Sequence, residues 1–186
     1  MKTKLLSLSF ALACAFSNTA LAMTQVEYKT QKDTISGDYK ISRDKCESLK
    51  ANAKDICISE AKGVEKIAKA ELEASYEPTV RHTEKVGIAK GDAAYDTAKE
   101  KCDDVSGNAK TICKKEAKAI HVTALDEARV ARVSAETGKT NTDMRNMANK
   151  DENEANYKAA AARCDSMSGA SKDTCASETK LKFGIK

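Results

Sequence analysis

The sequence predicts an all-α fold of three disulfide-stapled antiparallel helical hairpins, in an elongated bundle or array. Two observations carry this prediction. Six cysteines fall into three pairs of identical spacing: Cys46 and Cys57, Cys102 and Cys113, Cys164 and Cys175. The residues around them are rich in Ala, Lys and Glu, with no Trp and a single proline, a composition that forms helices readily and buries little apolar area.

The first element is an export signal. Lys2 and Lys4 precede an apolar run from Leu5 to Phe16, which leads through Ser17-Asn18-Thr19 to Ala20-Leu21-Ala22. A basic start, a short apolar stretch and a small-x-small end are the parts of a secretory signal peptide. The run is shorter than the roughly 20 apolar residues that span a bilayer. Cleavage is expected after Ala22, which assigns residues 1–22 to the signal. Ala11-Leu12-Ala13-Cys14 offers a competing lipoprotein site, but Leu stands two residues before the cysteine instead of three, which favours ordinary cleavage. No later segment is apolar enough to span a membrane, so no integral membrane segment is expected in the mature chain. Removing Lys2 and Lys4, with no acid, lowers the net charge from +4 to +2. The remaining charges of both signs are mixed, without the clustered basic face of a nucleic-acid binder.

The repeat is defined by more than cysteine. Tyr39, Tyr95 and Tyr157 each lie seven residues before the first cysteine of a pair. Glu60, Glu116 and Glu178 follow the second cysteine at three residues, and Lys62, Lys118 and Lys180 at five. The period is 56 and then 62 residues, which makes the chain an internal repeat. Hairpin one is assigned to 23–77, hairpin two to 78–138, and a linker with hairpin three to 139–186.

Each hairpin is expected to bend between its cysteines. Gly107 suits the left-handed conformation that ends a helix, and Asn108 suits a cap on the next. Ala51 and Gly169 stand where Gly107 does; Asn52 retains the cap in the first copy and Ser171 substitutes in the third. Cys102 is five residues before the bend and Cys113 six after, similar heights on two antiparallel helices. Positions facing each other there reach the Cα separation of about 4.4–6.8 Å that a disulfide needs.

The helices follow in order. Thr24 to Glu27 forms a capping box, after which Ile35, Tyr39 and Cys46 face inward. Cys57, Ala61, Val64, Ala68 and Leu72 recur at three and four, the stripe of an amphipathic helix. Pro78 breaks the chain. Ile88, Tyr95, Ala98 and Cys102 mark the next inward face, and Cys113, Ala117, Ile120, Ala124, Ala128 and Ala131 the one after, running to about Gly138. The polar, Asn-rich stretch from Lys139 to Asn156 reads as a linker or a frayed helix start, and the last helix ends near Phe183-Gly184. The tyrosines are expected to pack across their hairpins.

No catalytic constellation emerges. Ten residues between paired cysteines suit a staple; a redox site favours Cys-x-x-Cys, and a zinc site two to four residues between ligands. No Cys-x-x-Cys-His haem site, glycine-rich phosphate loop or Ser-His-Asp set stands out. His82 and His121 read as surface residues. Met144 and Met147 could offer soft ligands to copper(I), but two methionines alone are a weak signal and their spacing favours helix packing. No catalytic residue, metal or cofactor is therefore assigned, and the candidate site residues are the six cysteines in structural bridges.

The Tyr-x6-Cys-x10-Cys-x2-Glu-x-Lys repeat, with its Asp103-Asp104-Val105-Ser106-Gly107-Asn108-Ala109-Lys110 centre, resembles a group of small exported proteins of Gram-negative bacteria. Sequences of this kind are sometimes labelled TolA-like or cell-envelope proteins. The resemblance implies a periplasmic location and leaves activity open. Three functions are then expected in turn. The first is a non-enzymatic envelope protein acting through its surfaces on an envelope partner or on itself. The second is a metal- or ligand-binding module using Met144, Met147, His82 or His121. The third is a thiol-based stress sensor or chaperone.

Overall fold

The computed structural model describes residues 23–138 and 142–185. The signal segment and Lys139 to Asn141 lie outside the described residues. The described residues form six helices: α1 (Gln25–Cys46), α2 (Ala51–Tyr76), α3 (Val80–Lys101), α4 (Gly107–Thr137), α5 (Thr142–Cys164) and α6 (Gly169–Phe183). A 3₁₀ turn over Cys102–Asp104 extends α3. The protein is all-helical among the described residues, as the sequence predicts.

Local signals explain several boundaries. Thr24 and Glu27 form the predicted capping box: the Glu27 amide donates to Thr24 Oγ1 at 3.2 Å and the Thr24 amide to Glu27 Oε2 at 2.7 Å. These bonds hold the Glu27 carboxyl below its usual range. Pro78 separates α2 from α3, and Thr79 caps α3 through the His82 amide. Gly138 and Gly184, both with positive φ, close α4 and α6.

All three predicted bridges are present, with Cα separations of 5.6, 5.6 and 5.5 Å. The bends differ from expectation in one detail. The left-handed residue opens the second helix of each hairpin instead of ending the first. Gly107 and Gly169 have φ of +58°, following extended Ser106 and Ser168, and Ala51 has φ of +49°. No side chain caps α2, α4 or α6. Asn52 instead reaches into the next hairpin, donating to the Glu100 carbonyl and to Asp104 Oδ1, both at 2.7 Å. A Cβ is strained in the left-handed region, so Ala51→Gly is expected to stabilise the fold by about 1 kcal/mol. A chemical-denaturation midpoint compared with the parent protein checks this.

Each helix packs substantially only on its neighbours in the chain, α1 on α2 through to α5 on α6. The result is a row of antiparallel helices with the three stapled bends at one end. The seams are thin. The buried apolar residues are Ala61, Leu72, Ala93, Ala117, Ala119, Val130, Ala148, Ala159 and three cysteines. Cys46 and Cys102 are the largest fully buried side chains. Glycine lets the middle helices approach closely. A Cβ on Gly63 would stand 2.8 Å from Ala93 Cβ, one on Gly87 2.9 Å from Ala128 Cβ, and one on Gly91 3.0 Å from Ala124 Cβ.

Two sequence expectations are corrected and one is narrowed. Val64 and Ile120 are 68% and 69% exposed, and Ala131 is also exposed, because a helix inside a row buries two narrow stripes on opposite sides instead of one broad face. Of the two readings of 139–156, linker or helix start, the described part follows the second: it is helical from Thr142 onward and packs through Ala148. The caps proposed at Asn52, Asn108 and Ser171 are absent, since the left-handed residue already sets the chain direction there.

Candidate functional site

The cysteines are staples placed by the hairpin geometry. In each bridge the first cysteine is buried: Cys46, Cys102 and Cys164 are 0%, 0% and 2% exposed. Their partners Cys57, Cys113 and Cys175 are half-buried.

The histidines are not the surface residues that the sequence suggested. His121 lies in the α3–α4 seam, 9% exposed. Its ring stacks on Tyr95 at a centroid distance of 4.5 Å and an interplanar angle of 10°. Nε2 meets Asp92 Oδ1 at 2.7 Å, and Nδ1 faces Lys118 Nζ at 3.3 Å. Lys118 and Lys99 also approach the Tyr95 ring, at 5.4 and 4.8 Å. Asp92 and Tyr95, three apart on α3, are neighbours on one helix face, and His121 meets both. Both ring nitrogens face side-chain partners, so His121 serves the seam rather than a ligand. Tyr95 thus packs across its hairpin as predicted, and so does Tyr157, whose ring meets Phe183 edge-on at 6.2 Å.

His82 belongs to a different group, at the end of the row opposite the staples. It sits in the first turn of α3, beside the last turn of α2. Its Nδ1 lies 2.7 Å from the Glu77 carbonyl and 3.9 Å from Glu77 Oε2. Glu73, Glu77 and His82 each offer a ligand atom, and these atoms lie within 4.8 Å of one another. Glu73 is oriented by Tyr28, whose hydroxyl donates to Oε2 at 2.5 Å. That bond to an acceptor pushes the Tyr28 hydroxyl pKa up. Tyr28 also lies against Tyr76, with ring centroids 4.5 Å apart.

A nitrogen and two carboxylates suit a borderline divalent ion such as zinc. An Nδ1–H bond to the Glu77 carbonyl would leave Nε2 as the ligating atom, the usual arrangement for a metal-binding histidine. Sequence reasoning found His82 but not the two glutamates, which are indistinguishable from the many solvated acids until the α2–α3 turn folds. Met144 and Met147 lie on α5, apart from this cluster in sequence, and Met147 is 61% exposed. The structure does not unite the four residues His82, His121, Met144 and Met147 in one site: each histidine has its own partners.

Comparison with models of protein families, with curated proteins and with solved structures finds no match for this chain.

Proposed function

We propose that this chain is an exported, non-catalytic helical protein that works through the surfaces of its helix row in the cell envelope of a Gram-negative bacterium, in maintenance or stress tolerance. The observation that supports this reading most is the single row itself. Interior helices are covered only along two edges, so both broad sides of the row remain available, with Val64 and Ile120 exposed along it. Three bridges within hairpins accord with an oxidising compartment, and no helix among the described residues is long and apolar enough to cross a membrane.

The test is fractionation with deletion. A chain processed after Ala22, recovered from the periplasm with its six cysteines blocked to alkylation, and a deletion strain sensitised to detergent or chelator are the expected results. Cytosolic recovery with free thiols, or an unchanged deletion strain, would overturn the reading. A thiol switch receives less support, because one cysteine of every bridge is shielded from solvent.

A second reading, metal binding, is favoured by the convergence of Glu73, Glu77 and His82. Zinc is expected to raise the melting temperature of the purified protein, and His82→Ala to abolish that rise, since removal of one of three ligands leaves a site too weak to hold the ion. A zinc-induced shift that survives His82→Ala would place the metal elsewhere.

A further inference from the structure

The two seams between hairpins, α2 on α3 and α4 on α5, use the same positions of the repeat. Shifted by the period of 56 residues, Glu60 of α2 becomes Glu116 of α4; shifted by 62, Lys101 of α3 becomes Arg163 of α5. Glu60 Oε1 meets Lys101 Nζ at 3.0 Å, and Glu116 Oε1 meets Arg163 Nη2 at 2.6 Å. In both seams the repeat glutamate, three residues after a cysteine, meets the basic residue that immediately precedes the next hairpin's first cysteine.

The third members of these two sets are Glu178 on α6 and Lys45 on α1. They stand on the outer helices of the row, where α1 packs on α2 alone and α6 on α5 alone. Both are exposed, and neither makes an ion pair among the described residues.

The side chains beside them are matched in size. In the first seam a Cβ on Gly63 would stand 2.8 Å from Ala93 Cβ. The equivalents at the edges are Leu181 on α6 and Gly37 on α1. Leu181 is 82% exposed, and nothing lies within 4 Å of a Cβ position on Gly37. A small residue opposite a small one thus becomes a large residue opposite glycine, which preserves close packing. Ile41, 57% exposed, takes the place of Thr97, which meets Ser59 in the first seam. Arrays of repeats normally end in a polar outer face, whereas Leu181 and Ile41 are apolar and open.

We propose that copies of this chain associate head to tail, with α6 of one copy packed antiparallel on α1 of the next, so that the helix row continues from molecule to molecule. Glu178 pairs with Lys45 of the neighbouring copy, and Leu181 lies over its Gly37. The two patches differ, so the contact is heterologous: a dimer keeps one open edge of each kind and grows into chains or closes into a ring. α6 has only 15 residues, a length of about 22 Å, so the contact is small and association is weak. It uses the edges of the row and is independent of its broad sides and of the zinc reading.

The experiment is sedimentation velocity of the oxidised chain from Met23 onward, which holds every described helix, from ten micromolar to one millimolar. The weight-average mass is expected to rise past that of a dimer. Leu181→Lys, Glu178→Lys and Lys45→Glu should each weaken association by about fivefold or more. All three positions are exposed, and circular dichroism should show unchanged helix content. An equimolar mixture of the Glu178→Lys and Lys45→Glu proteins should associate as the parent does, because each edge of one variant then meets the opposite charge on the other. Ile120→Lys, on a broad side of the row, should leave association unchanged. A monomer throughout, growth that stops at the dimer, a mixture no better than either variant alone, or association lost in Ile120→Lys and kept in Leu181→Lys would each overturn the proposal.

Discussion

Full reduction of the three bridges is expected to lower the melting temperature by roughly 20–30 °C, enough to leave the row largely unfolded under mild heating. Each bridge closes a sequence separation of 11 residues, which on chain-entropy grounds contributes about 3 kcal/mol. Three such terms approach the whole stability of an ordinary domain, about 5–15 kcal/mol. At this chain length each 1 kcal/mol moves the melting point by about 2–4 °C. The packing cannot compensate, because the bridges are themselves its centre. Cys46 and Cys102 are the largest side chains that are fully buried, and the other buried apolar groups are mostly methyls of alanine. Circular-dichroism melts with and without a phosphine reductant give the answer. The paired change Cys102→Ser with Cys113→Ser should account for about a third of the loss. A melting curve indifferent to reductant would show that the seams, and not the staples, hold the hairpins.

The staples were legible because spacing alone constrains them. A pair of cysteines flanking a bend at five and six residues has few alternatives, and the same offsets occur three times. The helix ends at Thr24, Pro78, Gly138 and Gly184 were legible for a similar local reason. What could not be read was which side of each helix faces which neighbour. The three-four rule assumes one buried face, but α2, α3, α4 and α5 each meet two neighbours. Alanine and glycine take both contact stripes, and Val64 and Ile120 are left outside. Among the Asn and Asp residues of α5 the stripe of Ala148, Ala155 and Ala159 is faint, so the segment resembles a linker until α4 supplies a surface. His121 was hidden for the same cause. Its environment is made by α3, and a polar residue within a charged helix gives no sign of the partner it will meet.

Opposite outcomes are expected from one substitution at two glycines. Gly37 in α1 has nothing within 4 Å of the position a Cβ would take. Replacing it by alanine removes the entropic penalty of glycine in a helix, a gain of about 0.5–1 kcal/mol. Gly63 in α2 has the same propensity to recover, but its new Cβ would press on Ala93 Cβ at 2.8 Å, well inside an ordinary carbon–carbon contact of about 3.5–4.0 Å. Neither atom belongs to a flexible chain that can swing aside, so α2 and α3 must move apart. That separation loosens every methyl contact along the seam, and overpacking of this kind costs about 1–3 kcal/mol. Gly63→Ala is therefore expected to be neutral at best. Gly63→Val, with two further methyls and a stiff side chain, should lose about 2 kcal/mol or more. Gly87→Val should do the same at the α3–α4 seam, where Ala128 Cβ stands at 2.9 Å. Denaturation midpoints of Gly37→Ala, Gly63→Ala and Gly63→Val, taken together, separate close helix approach from simple propensity. If Gly63→Ala and Gly37→Ala stabilise equally, the middle helices do not pack at glycine distance, and the alanine seams no longer explain how so thin a row holds together.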